Sequence, residues 1–267
     1  MRLSALYRYP LKSGRPEVLQ QSPSGLLGLE GDRRWMLVDA GNNRFLTQRA
    51  FPRMSQLSAL YAADGGLLLA AQGLPTLHVA VPPADEALRG VTIWRDTLMV
   101  PDAGDAAAEW LSNFMERPVR LVHVPEQRSR YLPSGYGENS DRVAFADGFP
   151  LLLIGQASLE DLGQKVGRPM EMLRFRPNLV IEGADAFAED GWKRIRIGQQ
   201  TFRVVKPCGR CILTTIDPAT GERSADREPF ATLMNYRQKE GEAMFGQNLV
   251  ADGESVLEVG MAVEVLE

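Results

Sequence analysis

Cysteine and histidine are scarce in this chain of 267 residues. It has two cysteines, Cys208 and Cys211, and two histidines, His78 and His123. Two cysteines cannot build a disulfide framework, and a structural zinc site needs four nitrogen or sulfur ligands, usually arranged in pairs. Each histidine stands alone in a strand-like segment. We therefore interpret both histidines as ordinary strand residues and not as metal ligands.

The chain also lacks a long hydrophobic run and an excess of basic residues. No segment approaches the length of a membrane span, and residues 1–14 lack the continuous apolar stretch of a signal peptide. The 34 acidic and 30 basic side chains leave a formal net charge of −4. Such a balance gives no overall field for binding nucleic acid or anionic lipid. The sequence predicts a cytoplasmic protein that binds neither nucleic acid nor a membrane.

What the chain does contain is a series of short strand patterns separated by turn residues, which is typical of a β-barrel or sandwich. Strands are predicted at residues 2–9, 33–38, 57–62, 77–81, 91–100, 119–124, 149–154, 178–181, 194–197, 201–205, 212–216, 248–250, 256–259 and 262–266. Helical patterns cover residues 105–117, 158–166 and 230–237. Ser158 begins a capping-box-like start for the second of these helices. The polar segment 125–141 is predicted to be a lid or a mobile loop.

The motif Cys208-Gly209-Arg210-Cys211 allows several interpretations. A thioredoxin-like dithiol would place the attacking thiol at the start of a helix, whereas this motif runs into the β-branched segment 212–216. A zinc site lacks its second ligand pair. One thiolate could instead bind a soft metal that arrives inside an organic cofactor. Alternatively, both thiols could be inert core residues, and composition leaves these last two interpretations open.

A longer string resembles a family signature. Residues 206–221, KPCGRCILTTIDPATG, resemble the signature of MOSC proteins, which include YcbX-type proteins and the mitochondrial amidoxime reducing component. The segments 174–178 (RFRPN), 245–248 (FGQN), 9–13 (YPLKS) and 31–33 (GDR) extend the resemblance over almost the whole chain. It implies an α+β, β-rich fold: an N-terminal β-barrel-like region, 1–118, packed against a C-terminal MOSC β-barrel domain, 119–267, with a few peripheral helices.

The resemblance also implies a site for a molybdenum cofactor, Mo-molybdopterin. By position, Cys211 is the protein's sulfur ligand to the metal and a catalytic residue, and Cys208 has no assigned role. The other implied cofactor contacts are basic side chains for the pterin phosphate (Lys12, Arg33, Arg176), a hydroxyl (Ser13), an amide for the pterin edge or the local backbone (Asn178), main-chain groups (Gly148, Phe149, Gly209, Arg210) and Asn248. Asp147 is either a catalytic proton donor near the metal or simply a turn residue. The mitochondrial relatives carry an aromatic residue at the position of Asn248 and a small hydroxyl-bearing pair in place of Gly148-Phe149.

The function implied by the resemblance is reduction of N-hydroxylated compounds such as amidoximes, hydroxylamines and N-hydroxylated bases. YcbX-type relatives append a [2Fe–2S] module, whose cluster needs four cysteine ligands. With only Cys208 and Cys211 present, we expect no iron–sulfur cluster in this chain and a separate electron-donor protein, such as a ferredoxin or a flavoprotein reductase. A non-catalytic cofactor carrier or sulfur-transfer protein is the alternative, and a dithiol redox protein is a third hypothesis.

Overall fold

Strands dominate the computed structural model, which describes residues 1–267. In chain order the strands are β1 (Arg2–Arg8), β2 (Glu17–Leu19), β3 (Gln21–Gly25), β4 (Gly28–Leu29), β5 (Trp35–Asp39), β6 (Ser58–Tyr61), β7 (Leu67–Ala70), β8 (Leu77–Val79), β9 (Leu88–Ile93), β10 (Asp96–Pro101), β11 (Val119–His123), β12 (Arg130–Tyr131), β13 (Arg142–Val143), β14 (Leu151–Gly155), β15 (Leu179–Glu182), β16 (Arg194–Ile197), β17 (Gln200–Arg210), β18 (Gln238–Lys239), β19 (Glu242–Asp252), β20 (Ser255–Glu258) and β21 (Val263–Val265). The α-helices are α1 (Asp105–Met115), α2 (Gln156–Val166) and α3 (Phe230–Tyr236). Short 3-10 helices span Pro52–Gln56, Glu126–Arg128, Met172–Arg174, Ala188–Gly191 and Ile212–Thr215. None of the helices is both long enough and apolar enough to cross a bilayer.

The largest sheet has nine strands and carries much of the candidate site. Its order is β2-β1-β15-β14-β19-β17-β16-β21, with β18 also paired to β19. Only β14 and β15 run parallel, and the other pairs are antiparallel. Fully buried Leu3, Phe202 and Leu249 belong to the apolar cluster of this sheet. The predicted β-rich fold is confirmed, although β2 and β21 remain at opposite ends of the sheet and the barrel does not close.

Strands from the early and late parts of the chain share sheets. β1 pairs with β15, β5 with β11, and β3 with β20. A second apolar cluster, which includes Trp35, Leu69 and Trp110, draws its buried residues from the range 11–121. The early residues therefore have a core of their own while also contributing strands to the rest of the protein. The division into 1–118 and 119–267 stays a prediction.

The segment after the cysteine motif folds differently from its prediction. Residues 212–216 were expected to form a strand because they are β-branched, but Ile212–Thr215 forms a 3-10 helix. The hydroxyl of Thr214 donates to the carbonyl of Cys211 at 3.1 Å, and the hydroxyl of Thr215 donates to the carbonyl of Ile212 at 2.7 Å. The strand prediction was wrong because these local side-chain bonds to the backbone stabilise a turn.

The predicted capping box at Ser158 is also wrong. Helix α2 begins two residues earlier, at Gln156, and has no side-chain cap of its own. The hydroxyl of Ser158 donates to the buried carboxylate of Glu189 at 2.7 Å, and the amide of Gly155 donates to the same carboxylate at 3.0 Å. A carboxylate distant in sequence thus supplies the acceptor that helix starts require.

Candidate functional site

A cavity of about 340 Å³ lies where the turn after β1, the loop before β14 and the end of β17 meet. Its lining includes every residue that the sequence predicted for the site: Lys12, Ser13, Arg33, Asp147, Gly148, Phe149, Arg176, Asn178, Gly209, Arg210, Cys211 and Asn248. These residues come from both ends of the chain. The structure therefore brings residues that are far apart in the sequence together around one cavity.

Cys211 follows directly after the last residue of β17, in extended backbone. The cysteines are free thiols, and both side chains are partly exposed where they line the cavity. The sulfur of Cys208 accepts a hydrogen bond from the guanidinium of Arg210 at 2.9 Å. Arg210 also donates to the carbonyl of Phe175. Cys208, which had no role in the prediction, thus helps to hold Arg210.

Arg33 is held in place by several acceptors. Its guanidinium pairs with the buried carboxylate of Asp32 and donates to the side-chain oxygen of Asn178 and to the carbonyl of Arg176, both at 3.1 Å. The side-chain amide of Asn178 also makes hydrogen bonds to the backbone. It accepts from the backbone N–H of Leu152 at 3.2 Å and donates to the carbonyl of Tyr7 at 3.1 Å. The amide therefore contacts both the local backbone and Arg33, and its use for the pterin edge stays a prediction.

Arg176, unlike Arg33 and Arg174, has no carboxylate partner. Arg33 pairs with Asp32, and Arg174 pairs with Asp217. The guanidinium of Arg176 donates to the carbonyl of Gly14 at 2.8 Å and lies 4.1 Å from the ring centroid of Tyr9. Burial lowers the pKa of Arg176 to about 10, so it stays charged at neutral pH. A charged group on a cavity wall without a carboxylate partner is suited to binding an anion.

The backbone is strained at several of the predicted site residues. Ser13, Arg33 and Arg176 have φ values of 65°, 47° and 56°, in the left-handed region that L-residues rarely adopt. Each such residue costs about 1 kcal/mol or more, and strain of this kind collects at functional sites. These three residues lie on the cavity wall, and the other seven non-glycine residues with a positive φ lie outside the cavity.

Lys12 and Asp147 form an ion pair on the cavity wall. Only 5% of Lys12 is exposed, and its ammonium also donates to the carbonyl of Phe145 at 2.7 Å. Burial lowers the pKa of Lys12 to about 8, although Asp147 acts in the opposite direction. Desolvation acts to raise the pKa of Asp147, but the charge of Lys12 outweighs it, and the pKa falls to about 2. Asp147 is therefore a carboxylate at neutral pH.

Comparison with known proteins gives the family. Residues 1–118 match the MOSC N-terminal beta barrel domain, and residues 140–264 match the MOSC domain. The chain belongs to the MOSC family.

Relatives of this MOSC chain align along most of its length. It is 32% identical to human mitochondrial amidoxime-reducing component 1 over 99% of this chain and 82% of that protein. It is 33% identical to human mitochondrial amidoxime reducing component 2 over 88% of this chain and 72% of that protein. It is also 30% identical to a molybdenum cofactor sulfurase of Oryza sativa subsp. japonica over 91% of this chain, but over only 32% of that longer protein.

Two charged residues of the MOSC cavity were missed by sequence reasoning. The ammonium of Lys206 lies 4.7 Å from the ring centroid of Tyr136, whose ring packs edge-on at 5.7 Å against Phe149. Glu242 lies against Gly209. Lys206 begins the cysteine motif, so its place in the sequence was a usable signal. Glu242 enters the site only through the pairing of β17 with β19, for which a single sequence carries no signal.

The loop 125–141 reaches the cavity through Pro133. Both ends of its exposed part are anchored. The buried carboxylate of Asp141 makes a two-point ion pair with Arg203 at 2.9 Å for each bond. Buried Arg130 donates to the carbonyl of Ala144 at 3.0 Å. The loop is thus fixed at two points and borders the site between them.

The histidines lie on strands, as predicted, and neither lines the cavity. His78 contacts Asp64 at 3.1 Å. The ring of His123 packs 4.6 Å from that of Trp35, and burial lowers the pKa of His123 to about 4. Both contacts are those of ordinary strand residues.

Proposed function

We propose that this chain binds a molybdenum cofactor in the cavity, with Cys211 as the protein's sulfur ligand to the metal. One observation carries the proposal: a cavity in a MOSC protein is lined by all the predicted contacts, including the partly exposed thiol of Cys211. Its volume of about 340 Å³ is within the usual range of small-molecule sites. The unpaired guanidinium of Arg176 matches the phosphate that the pterin carries.

Within this proposal, the chain's own residues divide the work. Arg176 and Lys12 neutralise the phosphate, while Arg33 and Asn178 fix the backbone around Arg176. Four residues offer backbone N–H groups to the pterin: Gly148, Phe149, Gly209 and Arg210. Ser13 adds a hydroxyl, and Asn248 borders the cavity from β19. Cys211 aims its thiolate from the end of a strand, which is a rigid support for a ligand.

The proposed reaction is the reduction of an N-hydroxylated compound, such as an amidoxime, a hydroxylamine or an N-hydroxylated base. When bound, the cofactor supplies the two-electron chemistry. Conversion of an amidoxime to an amidine also consumes two protons and releases water. Because the pKa of Asp147 is about 2, this carboxylate holds no proton at neutral pH. The ammonium of Lys12, whose pKa is about 8, is the member of the pair that holds a proton at neutral pH, so Lys12 can deliver the proton while Asp147 holds Lys12 in position.

We further propose that the electrons come from a separate protein, such as a ferredoxin or a flavoprotein reductase. This chain contributes two cysteines, and both line the cavity. An iron–sulfur cluster with four thiolate ligands is therefore not expected in these residues. The predicted cytoplasmic location remains a prediction, and several relatives are named as mitochondrial proteins.

Turnover of benzamidoxime by molybdenum-loaded protein with an artificial electron donor tests the enzymatic proposal. The expected result is formation of benzamidine that depends on both the donor and the metal. A second candidate function, a carrier or sulfur-transfer protein, is favoured by the similarity to a molybdenum cofactor sulfurase. A loaded protein that forms no benzamidine but transfers its cofactor to a cofactor-free molybdoenzyme would support that second function and refute the first.

A further inference from the structure

Strand register places an acidic residue beside the proposed metal ligand. In the β17–β19 ladder, Gly209 pairs with Met244 and Arg210 pairs with Ala243. One further step in the same register brings Glu242 opposite Cys211. Residues that face each other on antiparallel strands project from the same face of the sheet. Glu242 therefore belongs to the cavity face that carries the thiol of Cys211.

The side chain of Glu242 points along this face. Its carboxylate packs against Gly209, so closely that a Cβ added to Gly209 would lie 2.6 Å from Oε2. Glu242 also lines the cavity. A glycine at position 209 thus leaves room for the carboxylate next to the cysteine motif.

Glu242 has no hydrogen-bond or ion-pair partner, unlike the other carboxylates of this region. Asp147 pairs with Lys12, and Asp32 pairs with Arg33. The unpaired cation Arg176 is held by Gly14, on the turn after β1, whereas Glu242 is on β19 beside the cysteine motif. The cavity wall therefore offers several cations without a carboxylate partner, among them Arg176, which suit an anionic group. It offers one acid without a cationic partner, Glu242, which suits a cation or a group rich in N–H donors.

Resting on the proposed function, this arrangement defines a substrate class. An amidoxime carries an amino group on the carbon that bears the N-hydroxy nitrogen, and its amidine product becomes a planar cation. The parallel N–H bonds of an amidinium match a carboxylate as the fork of arginine does. We propose that Glu242 is a specificity-determining residue that binds the amino group of amidoxime-type substrates and the amidinium of their products.

A charge-neutralising variant tests this inference. Glu242→Gln keeps the shape of the side chain and removes its charge. Glu240→Gln is the matched control, because Glu240 is an exposed acid on the same β18–β19 turn and lies outside the cavity. The first readout is calorimetric binding of benzamidine to molybdenum-loaded protein, which requires no turnover. The second is a comparison of benzamidoxime with acetophenone oxime, in which a methyl group replaces the amino group.

We expect Glu242→Gln to weaken benzamidine binding about tenfold, as loss of a charge-assisted pair does. The KM for benzamidoxime should rise with little change in kcat, kinetics with acetophenone oxime should not change, and Glu242→Asp should restore part of the benzamidine affinity. Equal benzamidine binding by wild type and Glu242→Gln would overturn the inference, as would an equal loss of activity on both oximes. A loaded wild type that reduces no benzamidoxime would instead refute the proposed function, so the two failures are distinguishable.

Discussion

The ammonium of Lys12 donates hydrogen bonds to both the carboxylate of Asp147 and the carbonyl of Phe145. The pKa of Lys12 is lowered to about 8 by burial, and that of Asp147 is lowered to about 2 because the charge of Lys12 outweighs desolvation. At neutral pH the pair is therefore doubly charged, and Lys12 is the partner that changes charge close to the working pH.

Cofactor retention should fall as pH rises through about 8. Above that pH, Lys12 in the cofactor-free protein loses the charge that would help to neutralise the phosphate, so release of the pterin becomes more favourable. The measurement is the pterin left after dialysis at a series of pH values. Lys12→Arg should remove the decline, because arginine stays charged. The same decline in wild type and Lys12→Arg would show that another group causes it.

The contribution of Asp147 to folding should disappear in acid. The folded-state pKa of Asp147, about 2, is below its ordinary value of 3.8. Its ion pair therefore stabilises the fold above about pH 4 and is lost as the pH falls towards 2. The difference in free energy of unfolding between wild type and Asp147→Asn should shrink over this interval. A difference that stays constant with pH would mean that the ion pair contributes nothing measurable.

The left-handed backbone of Ser13 should lower the stability of the fold, while its hydroxyl should favour cofactor binding. Its φ of 65° suits glycine, so Ser13→Gly should unfold with a free energy about 1 kcal/mol higher than Ser13→Ala. Both variants lack the hydroxyl and should retain less pterin than the wild type. Chemical denaturation and pterin content measure the two effects separately. Equal free energies of unfolding for Ser13→Gly and Ser13→Ala would show that the backbone at Ser13 is not strained.

Cofactor binding should depend on both the charge of Arg176 and the two parallel N–H bonds that its planar guanidinium can donate. Arg176→Gln should lower pterin content at least about tenfold under limiting cofactor, and Arg176→Lys should lower it less. Arg174→Gln is the matched control, because Arg174 pairs with Glu171 and Asp217 outside the main cavity. If the two glutamine variants retain the same amount of pterin, Arg176 has no special role.

Much of the site could be predicted because its residues lie in local motifs. The segments that contain Lys12, Arg33, Arg176 and Cys211 each carry a recognisable string, and the fold brings the strings to one cavity. The register of β17 against β19 is a long-range property that no short string encodes. Glu242 was missed for that reason. The ion pair between Lys12 and Asp147 was missed because it joins two residues that are far apart in the sequence.

Local patterns also failed where tertiary contacts or side-chain bonds decide the structure. Apolar alternation correctly predicted strands such as β1 and β16, whose faces are buried in the large sheet. The β-branched pattern failed at Ile212–Thr215, where threonine hydroxyls bond to the backbone. The capping-box pattern failed at Ser158, whose hydroxyl bonds to Glu189 rather than to its own helix.

Metal and pterin content of two serine variants tests the central claim most directly. Wild type, Cys208→Ser and Cys211→Ser would be matured in parallel and analysed for molybdenum and for pterin. The account predicts molybdenum close to the wild-type amount in Cys208→Ser, because the hydrogen bonds of this thiol are with Arg210 and the neighbouring backbone. It predicts loss or severe alteration of the metal site in Cys211→Ser alone. Unchanged molybdenum in Cys211→Ser, or a wild type without pterin, would contradict it.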